Sequence, residues 1–263
     1  MHLSSLQIDV GESGGDSTIG SKWLANRYRV HQRLCMAFPK AERLIADPDF
    51  LAPFTPTDFP ALRADATKSK TALGVEPLAQ VHTARTATEG FLFRIDRRPR
   101  GFQVLVQSAT EPNWKYAFAN FHGVLVTEPQ VRSFAPSFRA GQRLQFRLEA
   151  NPTRKIDTKT GPDGLRHHGK RVPVAGDKCL DWLCQFEKVA GFTLDAESVV
   201  LDCSFTRVRK GADGDSATQY LAARFDGLLT VTDPAAFLAK LAAGFGSAKA
   251  YGFGLMSVAA AAR

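Results

Sequence analysis

The chain has 263 residues, 44% hydrophobic and 23% charged, a composition that excludes a disordered or fibrous protein and allows one large domain or two small ones. Its 34 Lys and Arg against 26 Asp and Glu give a net charge of +8, which favours an anionic partner, nucleic acid being the commonest. No apolar run approaches the ~20 residues that span a bilayer, and no basic segment followed by a long apolar run opens the chain, so no membrane partner and a cytoplasmic location are expected.

In chain order, "LSSLQIDV" (3–10) reads as a first strand, broken by "GESGGDS". A helix is expected from about Lys22 to Phe38. At ~100° per residue, Val30, Leu34, Ala37 and Phe38 form its buried face, and Arg29 and Arg33 its basic side. Tyr28 and His31, three apart, are neighbours on the border between the two. An isolated pair of this kind is ordinarily a packed surface feature.

Residues 40–88, rich in Pro, Ala and Thr, read as an insertion, partly helical and partly mobile. "FLFRID" and "GFQVLVQS" are strands joined by the basic turn "RRPR". "EPNWKYAFANF" suits a short helix, and "GVLVTEPQV" a strand closing the sheet. A second pass opens at "GQRLQFRLEANP", where Leu144, Phe146 and Leu148 alternate with Gln145, Arg147 and Glu149. "DKCLDWLCQFEKVAGF" is an amphipathic helix that Gly191 is placed to stop. "SVVLDCSFTRVR" and "TQYLAARFDGLLTV" are strands joined by "KGADGDSA". In "DPAAFLAKLAAG", Asp233 suits the N-cap, Pro234 the first helical position and Gly244 the stop. "AYGFGLMSV" is the last strand. Each half therefore reads β-α-β-β-α-β. The expected fold is α+β, two tandem ferredoxin-like domains, 1–136 and 137–263, the first carrying the insertion.

Three constellations suit an anion. From Arg154 to Arg171, six cations (Arg154, Lys155, Lys159, Arg166, Lys170 and Arg171) outnumber two Asp, with His167 and His168 among them. Gly161, Pro162, Gly164 and Gly169 rule out a regular helix, leaving a mobile basic loop suited to a phosphate backbone. Arg207, Arg209 and Lys210 crowd the expected hairpin tip, the two Arg projecting to one face. In "GFGSAKAYGFGL", Gly244, Gly246, Gly252 and Gly254 allow close backbone approach and Lys249 suits phosphate. A helix stop followed by a tightly packed strand explains the same glycines. His167-His168 lacks Cys or carboxylates at ligand spacing, and no Asp and Glu cluster resembles a two-metal site, so no metal and no cofactor are expected. The four Cys (35, 179, 184 and 203) form no C-x-x-C pair and read as buried thiols in a reducing compartment.

Together "YRVHQRL", "VLVQSATEPNW", "GQRLQFRLEANPTRK" and "GFGSAKAYGFGLMSV" resemble the CasE family of CRISPR repeat-processing endoribonucleases of the type I-E Cascade system. The resemblance spans nearly the whole chain outside the insertion. It implies two ferredoxin-like domains, cleavage of CRISPR precursor RNA beside the repeat stem-loop, and retention of the product within Cascade. It makes His31 the catalytic His and Tyr28 a catalytic-site residue. It makes Arg207, Arg209 and Lys210 candidates for the stem, and Arg154, Lys155 and Lys249 for the backbone. The basic residue assisting His31 is left open among Arg29, Arg33 and Lys249. The implied reaction needs no metal, because RNA carries its nucleophile, the 2′-OH, beside each phosphate. The products are a 2′,3′-cyclic phosphate and a 5′-OH. Two readings compete: a non-catalytic RNA-binding structural subunit of a ribonucleoprotein, in which His31 is structural, and a scaffold whose basic faces bind acidic partner subunits.

Overall fold

The computed structural model describes residues 1–11, 18–39, 90–99, 101–119, 121–156, 169, 171–174, 176–209 and 217–261. The 40–88 insertion lies outside them. The chain forms two compact units, Met1–Phe91 with Ile95–Phe134, and Leu92–Arg94 with Ala135–Arg263.

In the first unit, β1 (His2–Ile8), β2 (Phe91–Arg98), β3 (Gly101–Ser108) and β4 (Gln130–Ser133) form a sheet of order β2-β3-β1-β4. Alternation sorts the faces of β1: Leu6 and Ile8 turn inward, and Leu6 sits opposite Val104, both fully buried. Helices α1 (Ile19–Leu24), α2 (Arg27–Cys35) and α3 (Trp114–Phe118) build the rest of the core. Val30 and Leu34 of α2 are wholly buried. An aromatic cluster joins the elements: Phe38 stacks on Phe91 at 4.9 Å and meets Trp114 edge-on at 5.9 Å, and Trp23 meets Phe118 edge-on at 5.9 Å.

The single helix expected from Lys22 to Phe38 is two. Asn26 interrupts it in an extended conformation (φ −125°, ψ 100°), and its side chain accepts the Tyr28 backbone N–H at 3.1 Å. A short amide side chain competes well for an orphan N–H at a helix start, so α2 begins afresh at Arg27. The expected closing strand at 123–131 is also shifted: Leu125 makes one bridge to Ile8, and the ladder to β1 runs over Gln130–Ser133.

In the second unit, β5 (Arg143–Ala150), β8 (Phe192–Arg209), β9 (Ala217–Val231) and β10 (Met256–Ala260) form a sheet of order β10-β5-β9-β8. Leu144, Phe146, Leu148 and Ala150 point into one core, as the period-two pattern predicts. That core includes Trp182 and Leu183 of α4 (Lys178–Cys184), Ala190 of α5 (Glu187–Ala190), and Phe237 and Leu241 of α6 (Pro234–Ala243). Asp233 caps α6, accepting from the N–H groups of Ala235 and Ala236. The helix expected over 177–190 breaks after Cys184, where Phe186 turns to meet Trp182 at 5.1 Å and Phe245 at 5.5 Å. Gly191 stops α5 in the left-handed region (φ 64°), as expected.

The expected last strand at 250–258 begins instead at Met256, because Lys249–Tyr251 form a 3₁₀ turn and Gly252 and Gly254 follow at positive φ. A short ladder unforeseen in the sequence, β6 (Thr153–Lys155) with β7 (Arg171–Pro173), brings together the ends of the basic segment. Each sheet thus orders its own four strands 4-1-3-2. That is the ferredoxin-like arrangement, twice over.

The thiols depart from the expectation of uniform burial. Cys35 and Cys179 are buried, Cys184 is half-buried and Cys203 is exposed. Cys179 donates to the Val174 carbonyl at 3.0 Å. Burial foremost, then the neighbouring Cys203 thiol, push Cys179 up to about 11. The thiolate is the reactive form, and at pH 8 Cys179 holds very little of it. Iodoacetamide at pH 8 is therefore expected to label Cys203 in the native protein and Cys179 only after denaturation, read by peptide mass mapping.

Candidate functional site

Helix α2 has two chemically distinct flanks beside its buried stripe. Tyr28, His31 and Cys35 share one flank, within ~60° of each other at ~100° per residue. His31 is half-buried. Its ring lies 5.7 Å from that of Phe91 and tilts 33° to it. Cys35 Sγ sits 3.7 Å from Nδ1 and 3.6 Å from Nε2. The imidazole thus lies beside an aromatic ring, with a weakly polar thiol close to its nitrogens. Tyr28, one turn earlier and half-buried, lies two residues after the Asn26 cap, which accepts its backbone N–H.

Arg29 and Arg33 occupy the opposite flank. With Lys22, Trp23, Met36 and Phe121 they line a cleft of about 540 Å³. The Arg33 guanidinium lies 4.5 Å over the Phe121 ring and donates to the Ala117 carbonyl at 3.0 Å. Burial pulls Arg33 down from the usual arginine range, and the aromatic face and the carbonyl offset the lost hydration. Arg33 is thereby engaged on the side of α2 away from His31, and Arg29 lies on that same side.

In the second unit the two resembling blocks meet. Asn151, buried, donates from Nδ2 to the Ser247 hydroxyl at 3.3 Å, and Ser247 donates to the Asn151 carbonyl at 3.4 Å. The glycine-rich segment is held closely. A Cβ on Gly246 would come within 2.8 Å of the Trp182 ring, and one on Gly254 within 2.4 Å of the Phe245 carbonyl oxygen. Both residues have positive φ, as do Gly244 and Gly252. Tight packing therefore accounts for glycine at positions 246 and 254. Lys249 donates to the Ala243 carbonyl at 2.6 Å, where a cation suits the C-terminal end of α6.

The exposed cations Arg154, Lys155 and Arg171 lie on the β6–β7 ladder, with Lys155 directly opposite Arg171. Arg207 and Arg209 are exposed on β8 near its end. The face of the second sheet turned away from its core differs. There Arg143 pairs with Asp195 at 2.7 Å, Arg147 with Asp226 at 2.5 Å, and Arg224 with Asp226 at 3.1 Å. Lys159, Arg166, Lys170 and Lys210, with His167 and His168, lie outside the described residues, as does the expected mobile loop.

Asn26, Cys35 and Phe91 surround the pair without having stood out in the sequence. Cys35 was readable at i+4 from His31, and Asn26 as a capping residue. Phe91 is distant along the chain, and no local pattern points to it.

A family described as "CRISPR associated protein" matches residues 76–260. The chain is 36% identical over 183 residues to the CRISPR-associated endoribonuclease Cse3 of Thermus thermophilus, covering 65% of this chain and 80% of that protein. It is 29% identical over 175 residues to the CRISPR system Cascade subunit CasE of Escherichia coli, covering 66% of this chain and 83% of that subunit. Its fold matches the structure of Thermus thermophilus Cse3 bound to an RNA representing a pre-cleavage complex, with TM-score 0.63, 27% identity and 98% of each chain covered. The chain belongs to this family of CRISPR-associated proteins, as a member built from two ferredoxin-like domains.

If Asn26 fixes the helix that displays Tyr28 and His31, Asn26→Ala should lower stability by ~0.5–2 kcal/mol, read by denaturant titration, and Asn26→Asp should restore most of that stability.

Proposed function

We propose that this protein is a metal-independent endoribonuclease that cuts CRISPR precursor RNA beside the repeat stem-loop and stays bound to the mature RNA as a Cascade subunit in the cytoplasm. Membership of a family that includes an endoribonuclease and a Cascade subunit supports this. The observation that carries it is the α2 flank, where His31 and Tyr28 stand one turn apart on a capped helix, the imidazole seated on Phe91.

The chemistry follows from the substrate. The 2′-oxygen attacks the adjacent phosphorus and loses its proton, and the 5′-oxygen leaves and takes one up. His31 serves one of these transfers, since an imidazole exchanges protons near neutral pH, and such a transfer is worth ~10²–10⁴-fold. Tyr28 holds the 2′-OH or a phosphate oxygen by a hydrogen bond from its phenol. Cations near the scissile phosphate stabilise its developing charge. The position of Arg29 and Arg33 on the far flank argues against either as the residue assisting His31.

RNA is gripped through surface cations. Lys155 and Arg171 face each other across the β6–β7 ladder, and like charges directly opposite destabilise a ladder. A polyanion laid across them converts that repulsion into binding. Arg154, Arg207 and Arg209 extend the grip.

The test is a labelled cognate repeat incubated in excess EDTA. Wild-type protein should cleave it and leave a 2′,3′-cyclic phosphate. His31→Ala should cleave at least ~10²-fold more slowly while its RNA affinity stays within ~tenfold of wild type. Full cleavage by His31→Ala, or a strict need for a divalent cation, would overturn the proposal.

A charge-reversed ladder carrying Lys155→Glu and Arg171→Glu should bind RNA more weakly and show a flatter log–log salt slope, by roughly 0.7–0.9 for each phosphate no longer neutralised. Titration at several salt concentrations checks this.

A further inference from the structure

Among the described residues, Phe205 is the one aromatic side chain in the group of exposed large hydrophobics, at 61% exposure. It sits in a regular ladder, opposite Leu221, with Arg207 opposite Gln219 and Arg209 opposite Ala217. Strand alternation puts Phe205, Arg207 and Arg209 on one face of β8, successive members ~7 Å apart. Val208, between the two Arg, turns to the other face and is 1% exposed. Two residues before Phe205 on the same face, the Cys203 thiol reaches Cys179 at the start of α4. Leu221, across the ladder, is still 2% exposed. Cover by the helices thins at Cys203, which is itself exposed, and the strand face continues as Phe-x-Arg-x-Arg with all three side chains exposed.

A lone apolar patch fits many occupants, but this ring is followed by two guanidinium groups and the exposed amide of Gln219. Charge complementarity selects a polyanion. A polyanion that also offers flat apolar faces at intervals of one residue is a nucleic acid, and the proposed function makes it RNA.

We infer that Phe205 is an RNA-contact residue whose ring stacks on a nucleobase while Arg207 and Arg209 hold the adjoining phosphates. This rests on the reading of the chain as a repeat-RNA-binding protein. It adds a sequence-tolerant stacking contact to the electrostatic grip.

The two kinds of contact differ in salt dependence, because stacking releases no counterions. Wild type, Phe205→Ala, Phe205→Trp and Arg207→Ala are to be titrated with the stem-loop repeat RNA at several salt concentrations. Phe205→Ala should bind roughly 5- to 150-fold more weakly with an unchanged log–log slope and an unchanged melting temperature. Phe205→Trp should bind as wild type. Arg207→Ala should flatten the slope by roughly 0.7–0.9. Phe205→Ala binding RNA like wild type would overturn the inference, and so would a slope that falls with the affinity. RNA binding kept but assembly with other Cascade subunits abolished would also overturn it, making the ring a protein contact. Failure of the wild-type chain to bind the RNA would instead strike the functional reading itself.

Discussion

In each unit the first strand is paired along both edges: β1 lies between β3 and β4, and β5 between β9 and β10. A strand held on both sides cannot slip without breaking two ladders, and a slip of one residue would turn every side chain to the wrong face. This fixes which residues of β1 and β5 enter the cores and where the helices must lie. The long β9 passes that register outward to β8, whose last residues continue beyond the helices. The orientation of Phe205, Arg207 and Arg209 is a consequence of pairing that begins at the centre of the sheet.

Helix α2 works under a different constraint. Its stripe of Val30 and Leu34 buries it, and Asn26 sets where it starts. What remains is divided between an imidazole–phenol flank and a cation–aromatic flank. On the first, His31 lies beside the Phe91 ring and the Cys35 thiol. On the second, Arg33 is bonded to a carbonyl and seated on Phe121. A buried guanidinium must find its partners within the fold, which the carbonyl and the ring supply.

The strands were legible because period-two alternation and turn residues mark them clearly, as in "RLQFRLEA", and their succession with the helices pointed to the ferredoxin-like order. The capped α6 was legible for similar reasons: Asp233, Pro234 and Gly244 each have one favourable place in a helix. Helix continuity across Asn26 was not, since the apolar period runs through the break and the cap outweighs it. The glycine-rich segment was ambiguous in sequence because close packing and ligand approach both call for glycine, and the Trp182 ring against Gly246 shows packing at work. The tie between Asn151 and Ser247 joins positions 96 residues apart, beyond the reach of any local pattern. His31 and Tyr28 stood out through resemblance to a family, because an i, i+3 pair alone carries too little information.

In the proposed reaction the RNA supplies its own nucleophile and this protein moves the protons. The most direct measurement is single-turnover cleavage of a repeat RNA carrying one 2′-deoxy substitution at the nucleotide before the cut, compared with the unmodified RNA. The substituted RNA should bind with unchanged affinity and not be cut at that position. Cleavage at the unmodified rate would contradict it, since the attacking oxygen would then have to come from water.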